Sequence, residues 1–72
     1  MFGGGALRKL TRQTAVVHTK DGQSFRGVVV GVYHDALVLA HTSALLEAGE
    51  QALSGETLVP VANVSFVQRS LA

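Results

Sequence analysis

The apolar positions change period once along the chain. Ala6 to Gln13 contains good helix formers, and Leu7 and Leu10 are three apart, so they share one helical face with Arg8, Lys9 and Arg12 spread over the rest. This predicts a helix of about two turns, too short to hold without docking. From Thr14 the pattern turns to β-branched residues. Thr14–Thr19 reads as a first strand, and Lys20-Asp21-Gly22-Gln23 carries the Asp-Gly signal of a hairpin. Ser24–Tyr33 reads as a long second strand with Gly27 and Gly31 inside it. Interior glycines mark bulges or sharp bends, so this strand is expected to curl and serve both sides of a small barrel.

His34-Asp35 makes the next tight turn, and Ala36–Thr42 follows as a third strand. Ser43 to Gly55 is irregular: Leu45, Leu46 and Leu53 are apolar, but Gly49 and Gly55 interrupt. It is expected as a variable loop or as an extension of the flanking strands. Glu56–Val61 is a fourth strand, with Pro60 at its end because proline cannot donate to a ladder. Asn63–Arg69 is a fifth. The expected core is Val16, Phe25, Val28, Val30, Leu37, Leu39, Leu58, Val64 and Phe66, with phase shifts expected at the glycines. The fold class expected is therefore all-β: a short N-terminal helix plus a strongly bent five-stranded small barrel of SH3-like or OB-like type.

Size narrows the use of such a barrel. The 72 residues form one domain, and a chain this short buries only about 60% of its unfolded surface. There are no cysteines, so neither disulfides nor thiolate metal sites support it, while 47% of residues are hydrophobic and 15% charged. Oligomerisation is the favoured remedy. Residues 1–5, Met-Phe-Gly-Gly-Gly, are expected to be flexible and residues 6–70 to be the single domain. They lack the charged-then-apolar order of a signal peptide, and no apolar run is long enough for a membrane helix, so a cytoplasmic location is expected.

Six Lys and Arg against five Asp and Glu leave a formal +1, far from the basicity of a protein that grips duplex phosphates. The three histidines, His18, His34 and His41, fit no compact metal-ligand spacing, and no nucleophile elbow, acid pair or phosphate loop is present. No catalytic residue, no metal, no cofactor and no small-molecule substrate are expected; the chain is read as a non-enzyme.

The segment Val16-Val17-His18-Thr19-Lys20-Asp21-Gly22-Gln23-Ser24-Phe25-Arg26-Gly27-Val28-Val29, with Leu37-Val38-Leu39 after it, resembles the first signature of the Sm and Sm-like (LSm, Hfq-related) family. Asn63-Val64-Ser65-Phe66-Val67 resembles the end of the second signature, and Ala6 to Gln13 is similar to the family's N-terminal helix. The resemblance spans about Ala6 to Arg69. It implies a bent five-stranded barrel that assembles with copies of itself into a ring of six or seven, joined through the fourth and fifth strands. Leu58, Val59, Val61, Val64, Phe66 and Val67 would line that joint. It also implies single-stranded, often U-rich, RNA as a partner, with the protein acting as a chaperone or assembly platform.

Under that resemblance Tyr33, His34 and Asp35 lie in the loop facing the pore, where His34 would stack on a base and Asp35 would accept from a uracil N–H. The alternative is that Asp35 only makes the turn. Asn63 would orient that loop or touch a base. Arg8, Lys9 and Arg12 would reach phosphates if the helix lies flat on a ring face; otherwise they form a solvated face. Two departures favour another function. Ala36 stands where the family carries an Asn, and Pro60-Val61 stands where it carries Arg-Gly. The alternative function is a structural or protein-binding oligomeric ring that has lost the RNA pocket.

Overall fold

The computed structural model describes residues 11–69. They form six strands and one short 3₁₀ turn. The strands are β1 (Thr14–Thr19), β2 (Ser24–Tyr33), β3 (Ala36–Leu46), β4 (Gly49–Ala52), β5 (Thr57–Pro60) and β6 (Val64–Arg69), with the 3₁₀ turn Val61–Asn63 joining the last two. All pairings are antiparallel, in the order β4-β3-β2-β1-β6, and β5 also pairs with β3.

The expected N-terminal helix is corrected where it can be compared. Residues 6–10 lie outside the described residues, and no α-helix occurs among those described. Thr11 to Gln13 are turn and bend, and Arg12 has φ 69°, which no right-handed helix accommodates. The backbone is drawn into sheet hydrogen bonding instead. The Arg12 N–H donates to the Val29 carbonyl at 2.6 Å, and the Val29 N–H donates to the Gln13 carbonyl at 3.0 Å.

The strand count also differs from five. The stretch expected as loop or strand extension is largely extension: β3 runs on to Leu46, turns at Glu47-Ala48 and returns as β4. Both β4 and β5 lie on the edge of β3 opposite β2, β4 beside Ser43–Leu46 and β5 beside Ala36–Leu39. Together they fill one strand position, interrupted at Leu53–Glu56. An exposed ion pair from Arg26 of β2 to Glu50 of β4 bridges over β3.

Two bulges bend the long strands. Val29 faces Leu39 but Gly31 faces Val38, so Val30 is the extra residue on β2. Arg26 faces Ser43 but Val28 faces Ala40, so His41 and Thr42 together oppose Gly27. His41 absorbs the extra length at φ 52°. A Cβ on Gly27 would lie 2.9 Å from Thr42 Oγ1, 3.1 Å from the Ala40 carbonyl and 3.3 Å from Leu39 Cβ. Only glycine lets β2 cross β3 this closely.

The core gathers Ala15, Val17, Val29, Leu37, Leu39, Val59 and Val64, with Phe25, Val32 and Val67 packed around it. Leu37, Leu39, Val64 and the flanking Phe25 match expectation. Val16, Val28 and Val30 are half-buried on the other face, and Leu58 and Phe66 are exposed. The phase follows the bulges: β2 points Phe25, Gly27 and Val29 inward before Val30, and Val32 after it. Across the His41 bulge, β3 changes from Leu37 and Leu39 to Thr42.

Candidate nucleic-acid interface

Three connections are joined in a row by backbone hydrogen bonds through the 3₁₀ turn, although two of them lie at opposite ends of β2. The first is the β2–β3 turn. Tyr33 pairs with Ala36, leaving His34-Asp35 as a two-residue link, and His34 takes φ 53° so the chain can reverse in so few residues. The turn is held from below: the Val61 N–H donates to the Asp35 carbonyl at 2.7 Å, and Ala36 pairs with Pro60.

The second connection is the 3₁₀ turn itself. Pro60 ends β5 with φ −56° and ψ 130°, a strand end being where proline's missing donor is tolerated. The Val64 N–H closes the turn onto the Val61 carbonyl. At its far end the Asn63 carbonyl accepts from the Lys20 N–H at 2.7 Å.

That bond brings in the third connection, the β1–β2 turn. Gly22 sits at φ 89°, its N–H donating to the Thr19 carbonyl at 3.1 Å. The buried Thr19 hydroxyl organises the turn: it accepts from the Gln23 N–H at 3.0 Å and donates to the Asp21 carboxylate. This bond from Thr19 is the main cause holding the Asp21 carboxyl below its ordinary value of 3.8. Desolvation opposes it, and the backbone N–H groups of Asp21 and Gln23 and the Asn63 side chain add to it.

The expected site residues therefore divide. Tyr33, His34 and Asp35 are exposed together on the β2–β3 turn. Tyr33 is 59% exposed, and its ring lies beside Gly31, where an added Cβ would meet it at 3.5 Å. Their side chains make no hydrogen bond or ion pair among the described residues. Asn63 belongs to the same row, and its carbonyl accepts from the Lys20 N–H of the β1–β2 turn. Of the basic trio, Arg12 is exposed, while Arg8 and Lys9 lie outside the described residues. Lys20 and Asp21 also join the row. The sequence reads them only as part of the first hairpin turn, because the pairing of Thr19 with Val64 is what carries them there. The row thus offers two exposed carboxylates, Asp21 and Asp35, one ammonium, Lys20, and one imidazole, His34.

The residues expected at a subunit joint also divide. Leu58 is 61% and Phe66 49% exposed; Val61 and Val67 are half-buried; Val59 and Val64 point into the chain's own core. Among the described residues no cluster of three or more His, Asp or Glu forms a metal site, and no helix is long and apolar enough to cross a membrane.

No protein-family model matches the sequence, and no curated protein matches it significantly. Solved structures do. The P. aerophilum SmAP1 heptamer superposes with a TM-score of 0.82 at 19% identity, covering 100% of both chains. A heptameric archaeal Sm protein gives 0.80 at 19% identity, covering 93% of this chain and 98% of its own. The Pyrococcus abyssii Sm protein in complex with a uridine heptamer gives 0.80 at 18% identity, over 97% of this chain and 100% of its own. At this identity the likeness speaks for the backbone path alone: the chain has the Sm-like fold.

Proposed function

We propose that the chain assembles with copies of itself into a ring and that the row of turns binds single-stranded RNA. One observation carries the assembly: among the described residues β5 and β6 are each paired on one side only, β5 with β3 and β6 with β1, and each exposes a large apolar side chain, Leu58 and Phe66. Two open edges on one subunit join head to tail, and the joint closes into a ring where the rotation allows. Neighbours of the same fold form heptamers. Val59 and Val64 would then contribute backbone to the seam, and Leu58, Phe66, Val61 and Val67 side chains.

RNA binding rests on the exposed Tyr33, His34 and Asp35, whose side chains make no hydrogen bond among the described residues, and on the fold shared with a protein solved in complex with a uridine heptamer. An exposed tyrosine ring stacks on any base, and repetition around a ring makes weak contacts avid. The activity is binding and presentation, with no bond made or broken.

The second reading, a ring that binds protein or only itself, is favoured by the charge of the row, where one ammonium faces two carboxylates. Two measurements separate them. Light scattering at micromolar concentration is expected to give a mass near seven times 7.5 kDa; a monomer defeats the ring. Labelled oligo-U, oligo-A and an alternating uridine–guanosine oligomer are then titrated across a salt series. Base-selective binding that persists at physiological salt supports RNA. Binding that is absent, or fades uniformly with salt, supports the second reading.

A further inference from the structure

We infer that the β2–β3 turn selects guanine in single-stranded RNA, with Asp35 reading the Watson–Crick edge of a base stacked on Tyr33. This rests on the RNA-binding reading above and goes beyond it to the identity of the base.

The argument starts from what the turn can offer. At neutral pH a carboxylate accepts hydrogen bonds and never donates them. The Asp35 carboxylate is exposed and makes no hydrogen bond among the described residues, so both its oxygens are open. Its backbone is fixed, because the Asp35 carbonyl is bonded to the Val61 N–H at 2.7 Å and the link is only two residues long. The neighbouring side chain that could have offered both a donor and an acceptor is absent: position 36 is alanine. Asn63 lies on the 3₁₀ turn, outside this two-residue link. The edge reader on this turn is thus an acceptor pair.

The four bases answer an acceptor pair differently. Guanine presents two adjacent donors, N1–H and the N2 amino group, which match two carboxylate oxygens in a bidentate pair. Uracil presents one N–H flanked by two carbonyl oxygens, and each carbonyl repels a carboxylate oxygen set beside it. Adenine and cytosine each present an amino group next to a ring nitrogen acceptor, with the same conflict. Only guanine satisfies both oxygens at once. Tyr33, 59% exposed with its ring beside Gly31, supplies a stacking surface on the same turn. His34, at φ 53°, occupies the link between them; the left-handed backbone is the strained conformation that places the two on one short reversal.

The test compares labelled RNA heptamers on the assembled protein at one salt concentration: all-uridine, alternating uridine and guanosine, and the same oligomer with inosine for guanosine. All carry the same phosphates, so differences report the bases. The guanosine oligomer is expected to bind about tenfold tighter than heptauridine, the discrimination typical of a bidentate pair. Inosine lacks the N2 amino group and is expected to lose most of that gain. Asp35→Asn puts a donor beside an acceptor and is expected to move the preference to uridine, with the ring mass and circular dichroism unchanged. Equal affinity for guanosine and uridine oligomers overturns the inference and leaves RNA binding standing, as does a guanosine preference that survives Asp35→Asn. Failure to bind any oligomer overturns the RNA reading and this inference with it.

Discussion

His18 lies flat on Phe66 across the β1–β6 pairing, with ring centroids 4.2 Å apart and planes 18° from parallel. The imidazole is also fixed in its plane. Nε2 donates to Gln68 Oε1 at 2.7 Å, because a carbonyl oxygen can only accept, so Nδ1 is left to accept from the Ser24 hydroxyl at 2.9 Å. One residue of β1 thus ties β2 to β6. His18→Ala is expected to cost about 1 kcal/mol of unfolding free energy, the scale of one stacked aromatic pair, and to leave the oligomer mass unchanged. Phe66→Ala loses the same stack and also bares the proposed seam, so it is expected to lower the mass at micromolar concentration. Denaturant midpoints with light scattering check both; an intact ring in Phe66→Ala argues against β6 as the seam.

Gly27 is the position least able to accept a side chain. The crowding comes from Thr42 Oγ1, the Ala40 carbonyl and Leu39 Cβ, all within 3.3 Å of an added methyl. Gly27→Ala is expected to destabilise by about 1–3 kcal/mol, as overpacking does. Removing the nearest atom with Thr42→Ala is expected to recover part of that loss, leaving the Ala40 carbonyl in the way. A double-mutant cycle by chemical denaturation measures the coupling; additive effects would place the strain elsewhere.

Thr42 carries a second prediction. Its hydroxyl is buried and has no hydrogen-bond partner among the described residues. An unpaired buried hydroxyl costs free energy that a methyl of similar size does not. Thr42→Val is expected to raise the unfolding free energy by about 1 kcal/mol. A loss of stability in thermal or denaturant unfolding would count against an unpaired hydroxyl.

The β1–β2 turn predicts an acid sensitivity. Thr19, above all, holds the Asp21 carboxyl below its ordinary value of 3.8. A group whose folded pKa is lowered contributes stability that is complete above the unfolded value and is lost as pH falls through the folded one. Asp21→Asn removes that titration. Its melting temperature is expected to fall less steeply than the parent's from about pH 5 downward, with parallel curves from about pH 6 to 8. Identical slopes in the acid range would mean the carboxylate gains nothing from the turn.

The strand pattern of this fold was legible where sequence is local. β1, β2, the His34-Asp35 turn and the start of β3 are set by β-branched runs and by Asp-Gly and His-Asp breaks, and they fall where those signals put them. The phase was not legible. Val16-Val17 and Val28-Val29-Val30 are apolar on both faces, so alternation cannot say which residue turns inward, and the choice is made by bulges at Val30 and His41. The helix read from Ala6 to Gln13 relied on propensity, and at Arg12 pairing with Val29 prevails over it. For the candidate site, Tyr33, His34 and Asp35 were legible as a turn. That Lys20 and Asp21 join them depends on Thr19 meeting Val64, a pairing across most of the chain that no local pattern carries.

His34 separates the needs of folding from those of binding. At φ 53° it holds a backbone conformation that glycine adopts without penalty and other residues adopt at a cost. The backbone conformation serves the two-residue reversal between Tyr33 and Ala36, while the side chain is exposed and makes no hydrogen bond among the described residues. Glycine would serve that reversal with less strain, so the imidazole is the part of His34 that the turn does not require. His34→Gly is therefore expected to leave unfolding free energy unchanged or higher by up to about 1 kcal/mol, the relieved strain being offset in part by the greater freedom of glycine in the unfolded chain. The same variant is expected to weaken RNA binding, because the imidazole is lost and the Tyr33–Asp35 reversal is loosened. Thermal unfolding and RNA titration on one preparation test both. A variant that is less stable yet binds RNA as tightly as the parent would show that His34 serves the fold and not the ligand.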